Sequence, residues 1–379
     1  EVQIDSTATG DILALSNLGI SFVHNSYQEV ISNQASNPED QRLPNWRTEN
    51  RKINELGDIT VGADGLQIKK DSYGREILST RVGQSLNGDI SENIIYQKGL
   101  ATEHQILDAQ GRLVATTKTV YDSENRVLQN NYGVLTQTFS YDVFGNVTEQ
   151  KISNLSTLDY IYNQAELSAI LPVIQSVDKD SLGNVIRLNY VNGSVLQRSF
   201  EPGTHRLLGL KFINSDGSVL LQESLSLKDF NVRSRTEASS LASYQEEFAY
   251  DVNNYQLINQ HSADFADIEV LRNSKGQTAK VKDQVYSYRD DNLIGDGQKN
   301  YFYDMHGSVL GACRGPKLKI NSENCVNKLA QDLYFVNGEP VQLVRFEGIM
   351  VAVVIKGEFY PVVSDHLGSL KYVISPNGK

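Results

Sequence analysis

Cysteine, tryptophan, positive charge and long apolar runs are all scarce in this sequence, and each scarcity excludes something. Two cysteines in 379 residues cannot build a disulfide-rich scaffold. Cys313 and Cys325 flank a stretch with Gly315, Pro316 and Asn324 that could fold back on itself. A disulfide, which suits a secreted chain, and two free thiols, which suit a cytoplasmic one, are both compatible with that spacing, and neither the spacing nor a nearby histidine supports a metal site. No apolar run approaches the ~20 residues of a membrane helix; the longest candidate, 349–355, has the length of a strand. With 35 Lys and Arg against 46 Asp and Glu, a net charge of -11 and a pI near 5.1, the chain lacks the basic footprint of a partner for nucleic acid or an anionic membrane.

Catalytic and cofactor patterns are equally thin. There is no Gly-x-Ser-x-Gly, His-Glu-x-x-His or P-loop, and Gly295-Asp296-Gly297 precedes a strand rather than opening a helix. The histidines (His24, His104, His205, His261, His306, His366) are scattered. Asp365-His366 has the residue types of an acid–base pair, but it lies inside a turn motif, where a turn-stabilising role accounts for it. Asp178 to Gly183 begins like a calcium loop, yet Leu182 and Asn189 stand where oxygen ligands and the closing Glu belong. No cofactor, metal or catalytic residue is expected.

What the chain has in abundance is one turn recipe. In Tyr141-Asp142-Val143-Phe144-Gly145-Asn146-Val147, Asp at the first turn position accepts hydrogen bonds from amides ahead of it, Gly at the fourth tolerates the backbone leaving the turn, and the next apolar residue restarts a strand. Phe139 and Tyr141, two apart, share a strand face, from which their rings are expected to stack on those of the next copy. Copies occur at Asp71 to Gly74, Asp108 to Gly111, Tyr121-Asp122 to Asn125, Asp180 to Gly183, Asn214 to Gly217, Asp229, Tyr250-Asp251, Asn273 to Gly276, Tyr303-Asp304 to Gly307, and Asp365-His366 to Gly368. From Tyr121 to Tyr141 is 141 - 121 = 20 residues, room for two strands and their turns. The tyrosines could also form a sugar platform, though cross-strand packing explains their pairing without a ligand.

Near position 162 the copy degrades: Gln164-Ala165-Glu166-Leu167 predicts a helix that extends to Leu171, before Pro172. After the cysteines, strands are expected at 332–336, 341–346, 350–355 and 359–363, joined by the hairpin signals Asn337-Gly338, Glu347-Gly348 and Lys356-Gly357. Residues 1–67 read as an irregular N-terminal cap, with a short helix around Arg47 to Leu56 and Trp46 as a plug for a β core. The start, Glu1 to Asp5, lacks both Met and a signal-peptide pattern and reads as an internal cut or processed end.

Tyr-Asp-x-x-Gly-Asn/Arg-Val/Leu at this spacing resembles the YD repeat of the Rhs family, found in bacterial polymorphic toxins, in the B and C subunits of insecticidal Tc toxin complexes and in animal teneurins. Phe200-Glu201-Pro202-Gly203-Thr204-His205-Arg206-Leu207 resembles its Asp-Pro-x-Thr-x-Arg-Leu variant, with Glu for Asp. Ser364-Asp365-His366-Leu367-Gly368-Ser369 resembles the Asp-His-Leu-Gly-Ser element near the end of Rhs cores. The resemblance covers residues 68–379 and implies an all-β fold, an antiparallel ribbon of hairpins curved as part of a spiral shell. The chain has no Asp-Pro dipeptide, so the stop motif at which many such cores cleave themselves is missing. The implied function is a noncatalytic scaffold, bacterial, secreted or on the cell surface, exported as part of a larger protein that encapsulates or displays a toxin effector. Its implied partners are the remainder of the same shell or a paired shell subunit, and the toxin cargo. Exposed strand edges add self-association to that list. Two readings compete: an extracellular adhesion or carbohydrate-binding module, and a hydrolase using Asp365 and His366.

Overall fold

The computed structural model describes residues 66–81 and 90–376, except 109, 229–230, 240–242, 251–255, 263–267, 274–275, 290–291, 304–308 and 316–321; before residue 66 it describes only six short strands, Ile4–Ser6, Ile12–Leu15, Ile20–His24, Val30–Ala35, Lys52–Ile53 and Ile59–Val61. Every regular element among the described residues is a strand, and strands consecutive in sequence pair antiparallel. Trp46 and most of the helix expected at 47–56 lie outside the described residues; within that stretch Lys52–Ile53 is a strand. The turns expected at Asp229, Asp251 and Asp304 to Gly307 also lie outside them.

The chain forms two compact units. One comprises Glu1–Thr119, Arg272–Ala279 and Val285–Ile320. It contains the hairpin of Leu66–Lys70 with Glu76–Arg81, the long pair Ile90–Gln97 and Leu100–Leu107, and the short strands around Asn292–Gly295 and Asn300–Tyr303.

The other comprises Val120–Leu271, Lys280–Gln284 and Asn321–Lys379, and is built from two meanders. The first runs without interruption from Val127–Asn131 to Leu257–Ser262. The second runs from Cys325–Ala330 to Leu370–Val373. Period-two alternation sets what each strand buries: Leu188, Leu196, Phe212 and Leu221 lie directly across from one another on successive strands and are all buried. In Ile349–Ile355 the four consecutive residues Val351 to Val354 are buried, so this strand is covered on both faces, which is why it reads as an unbroken apolar run.

The three hairpin signals of the second meander act as expected. Asn337, Glu347 and Lys356 have φ of 52°, 46° and 53°, each followed by a Gly at 84–85°, the two left-handed residues of a turn whose twist matches its strands. The expected helix at 164–171 is overturned. Ser156–Asn163 and Glu166–Leu171 are paired strands, with Asn163 opposite Glu166 and Gln164-Ala165 as the two-residue turn at φ 49° and 69°. Gln, Ala, Glu and Leu all favour helix, but propensity is a weak prior beside the burial of Ala169 and Ile170 in the sheet.

Candidate functional site

The repeated turn is a closed hydrogen-bond circuit. At Asp142 the Gly145 N–H donates to the Asp142 carbonyl at 3.1 Å and the Asp142 N–H to the Asn146 carbonyl at 2.9 Å. Its Oδ1 accepts the amides of Phe144 and Asn146 at 2.8 and 2.9 Å, and its Oδ2 accepts Asn146 Nδ2 at 2.9 Å. The residue after the glycine thus completes the turn with its side chain. Arg75, Arg112 and Arg126 do the same for Asp71, Asp108 and Asp122, and Asn184 for Asp180. The side-chain donor of Asn146 is the main cause holding the Asp142 carboxyl below its ordinary value; Arg75, Arg112 and Asn184 act likewise at Asp71, Asp108 and Asp180. In the variant turn, the Glu201 carboxylate takes the place of Asp and accepts Arg206 Nη2 at 2.8 Å.

The motif tyrosine links one copy to the one before. Tyr141 donates its hydroxyl to the Val127 carbonyl at 2.7 Å, Tyr162 to Val147 at 3.1 Å, Tyr250 to Val232 at 3.0 Å, and Tyr303 to Leu293 at 2.7 Å. The acceptor is the strand-restart residue of the preceding copy or its equivalent. Arg126 also lies over the Tyr141 ring at 4.7 Å. Among the described residues the contacts that recur are hydroxyl on backbone and guanidinium on ring, with Arg75 over Tyr73 and Tyr96 and Arg198 over Phe200, and Tyr190 with Phe212 is a ring pair with centroids 5.5 Å apart.

The last turn departs from this scheme and creates the most charged site in the second unit. Asp365 Oδ1 accepts the amides of Leu367 and Ser369 at 3.0 and 2.9 Å, as Asp71, Asp108, Asp122, Asp142 and Asp180 accept theirs. Its Oδ2, however, lies 3.6 Å from Arg235 Nη1, a residue of the first meander. Arg235 also reaches Glu223 Oε1 at 3.5 Å and donates through Nε to Glu246 Oε2 at 2.7 Å. His366 is drawn to Glu223 instead of Asp365: its amide donates to Oε2 at 2.9 Å and its Nδ1 sits 2.8 Å from Oε1. Beside them Lys371 Nζ lies 3.1 Å from Glu237 Oε2 and donates to the Tyr244 hydroxyl at 3.3 Å. Burial opposes the charge on Arg235, but the Glu246 carboxylate outweighs it and raises the guanidinium further; Glu237 does the same for Lys371. Two further ties join the meanders, Ser156 with Gln342 and Lys179 with Glu347, the latter at 2.8 Å.

Chemically this cluster clamps. Asp365 and His366 each bind a different group across the junction, and Glu223, whose side chain is fully enclosed, is occupied on both oxygens. Glu223, Arg235, Glu246, Glu237 and Lys371 were not singled out in the sequence. A signal was there: Glu223 sits in phase with Leu221, Leu225 and Leu227, so alternation points a carboxylate inward. Among the described residues no group of three or more His, Cys, Asp or Glu is arranged to hold a metal ion, and no helix is long and apolar enough to cross a membrane, which says nothing of a β-barrel. Both cysteines are disulfide-bonded and buried.

No family model matches the sequence, and no curated protein matches it. Solved structures do. The chain is similar to TcdB2-TccC3 with a TM-score of 0.59 and 12% identity over 99% of this chain and 27% of that one. It matches TcdB2-TccC3-Cdc42 with 0.58 and 11%, covering 100% and 26%. It matches the Photorhabdus luminescens Tc holotoxin pore with 0.54 and 11%, covering 100% and 25%. The chain has the fold of part of these Tc toxin proteins. It spans about a quarter of their length.

Proposed function

We propose that this chain is a noncatalytic wall segment of an Rhs-type shell, which encloses or displays a toxin effector in a secreted or surface-exposed bacterial system. The observation that carries the reading is the repeated circuit: the turns at Asp71, Asp108, Asp122, Asp142 and Asp180 close through the Asp and the side chain four residues on, and the hydroxyls of Tyr141, Tyr162, Tyr250 and Tyr303 engage the backbone of the strand before. Such a unit extends a sheet indefinitely and performs no chemistry, the need of a wall. The similarity in fold to Tc toxin proteins over the whole chain supports it. So does the commitment of Asp365 and His366 to Arg235 and Glu223, which leaves neither as partner of the other for acid–base work. The disulfide-bonded state of the cysteines fits an oxidising destination.

On this reading the partners are the rest of the same shell or a paired subunit, together with the effector it holds. Electron microscopy of the complete gene product tests it: a hollow particle with density inside is expected. A solid or extended particle with no enclosed volume refutes the proposal.

A further inference from the structure

On the face of the first meander opposite the core, the sheet carries a concavity of about 560 Å³, within the range that takes a small ligand. Its floor and wall follow from strand register. Arg187, Gln197, Lys211 and Gln222 lie directly across from one another on four successive strands. They form one row of long polar side chains spaced by about 4.8 Å per strand. Two residues along, Ser199, Gly209 and Ser224 form the next row on the same face. That row is low because of its centre: a Cβ on Gly209 would lie 2.6 Å from the Glu223 carbonyl oxygen, so no side chain fits. The result is a trough beside a comb.

The comb is rich in donors. Arg187 is braced by its Nε–H donating to Asn189 Oδ1 at 2.9 Å, which leaves the rest of the guanidinium outward. Lys211 belongs to no described ion pair. The two carboxamides add N–H groups on either side of it. Asp178, opposite Arg187 in register, is the one carboxylate of this face in the lining, so the charged side chains on this face are Arg187 and Lys211 against Asp178, a net positive patch on a chain of -11; Arg198 also lines the concavity, but it alternates to the other face opposite Leu210 and lies over the Phe200 ring at 4.9 Å. Glu223 also lines the concavity, but its carboxylate is engaged by His366 on the other face.

We propose that this trough binds an anionic saccharide, one bearing carboxylate or sulfate groups. Extended peptides are recognised through main-chain pairing at a free strand edge, and the central strands of the trough are already paired on both sides. A neutral sugar would call for an aromatic platform, and no ring lines the trough among the described residues. An acceptor-rich, anionic oligosaccharide matches a flat comb of amide, ammonium and guanidinium donors. Binding here goes beyond a wall role and does not depend on it.

Isothermal titration of the full chain tests the proposal with four probes: an oligogalacturonate for carboxylate, a heparin-derived tetrasaccharide for sulfate, chitotetraose as the neutral sugar, and hexaglutamate as the acidic peptide. One or both anionic saccharides are expected to bind, more weakly as salt rises. Lys211→Met and Arg187→Gln should each weaken binding at least tenfold, and Asp178→Asn should tighten it severalfold, with unchanged thermal melts showing that the fold is kept. No binding by either anionic saccharide, equal binding of hexaglutamate or chitotetraose, or affinity indifferent to Lys211 and Arg187 in folded variants would overturn it.

Discussion

His366 grips Glu223 across 143 residues of chain, through its amide at 2.9 Å and its Nδ1 at 2.8 Å, with both side chains buried. Arg235 is shared by Glu223, Glu246 and Asp365, and its loss leaves these three facing one another without a cation. Arg235→Met is expected to destabilise the second unit by about 3–5 kcal/mol, read by urea denaturation. In a double-mutant cycle, Glu223→Gln and His366→Asn should show coupling well beyond additivity. Additive effects would mean that the contact between His366 and Glu223 does not help to hold the two meanders together.

Tyr141→Phe removes one hydroxyl and keeps the ring. The Val127 carbonyl loses a donor, at a cost of about 1 kcal/mol, or a fall of about 2–4 °C in Tm for a unit of this size. Tyr162→Phe, one copy on, should cost a similar amount. Unequal losses, with one variant at wild-type stability, would show that the link is not a repeated device.

Ala165 holds φ of 69° in a turn that wants glycine or asparagine. A Cβ there strains the backbone by about 1 kcal/mol, so Ala165→Gly should raise stability, measured as a higher denaturant midpoint with an unchanged slope. A drop would mean that a helical form of this stretch is populated, as its composition alone suggests.

Acid should loosen the turns first. The carboxyls of Asp71, Asp108, Asp142 and Asp180 are held below the usual 3.8. A depressed folded value means stabilisation that is fully present above the unfolded value and is lost as pH falls through the folded one. Stability should therefore be flat from neutrality to about pH 5 and decline below pH 4. Asn146→Ala, which removes the largest cause at Asp142, should flatten that turn's share of the decline. Nuclear magnetic resonance titration of the Asp142 carboxyl checks it directly: an unshifted midpoint in the wild type contradicts the circuit.

Alkali acts through different groups. Burial pushes the Tyr132 and Tyr160 hydroxyls up to about 12. Their neutral forms stabilise the fold below the unfolded value near 10, and that contribution disappears as pH climbs towards 12. Tyrosinate absorbance should show a late-titrating fraction that merges with the rest once urea unfolds the chain. Early titration of all the tyrosines in the native protein would rule out their burial.

Local chemistry written in consecutive residues was open to reading from the sequence. Asp142, Gly145 and the residue after it make a turn wherever they occur together, because the bonds involved join atoms no more than four residues apart. The same holds for Asn337-Gly338 and its two companions, where two left-handed residues dictate a hairpin. Alternation then decides which side chains face inward, and with it the all-β architecture. The sequence could not settle 164–171, because helix formers there carry no trace of the strand partner that overrides them. Nor could it reveal that the Asp365 turn, built like the others, would spend its second oxygen on Arg235, or that His366 would find Glu223. Those contacts depend on two meanders, separated in sequence, meeting in one packed unit. A buried charge is stable only where its partners arrive together, and tertiary structure alone decides which partners those are.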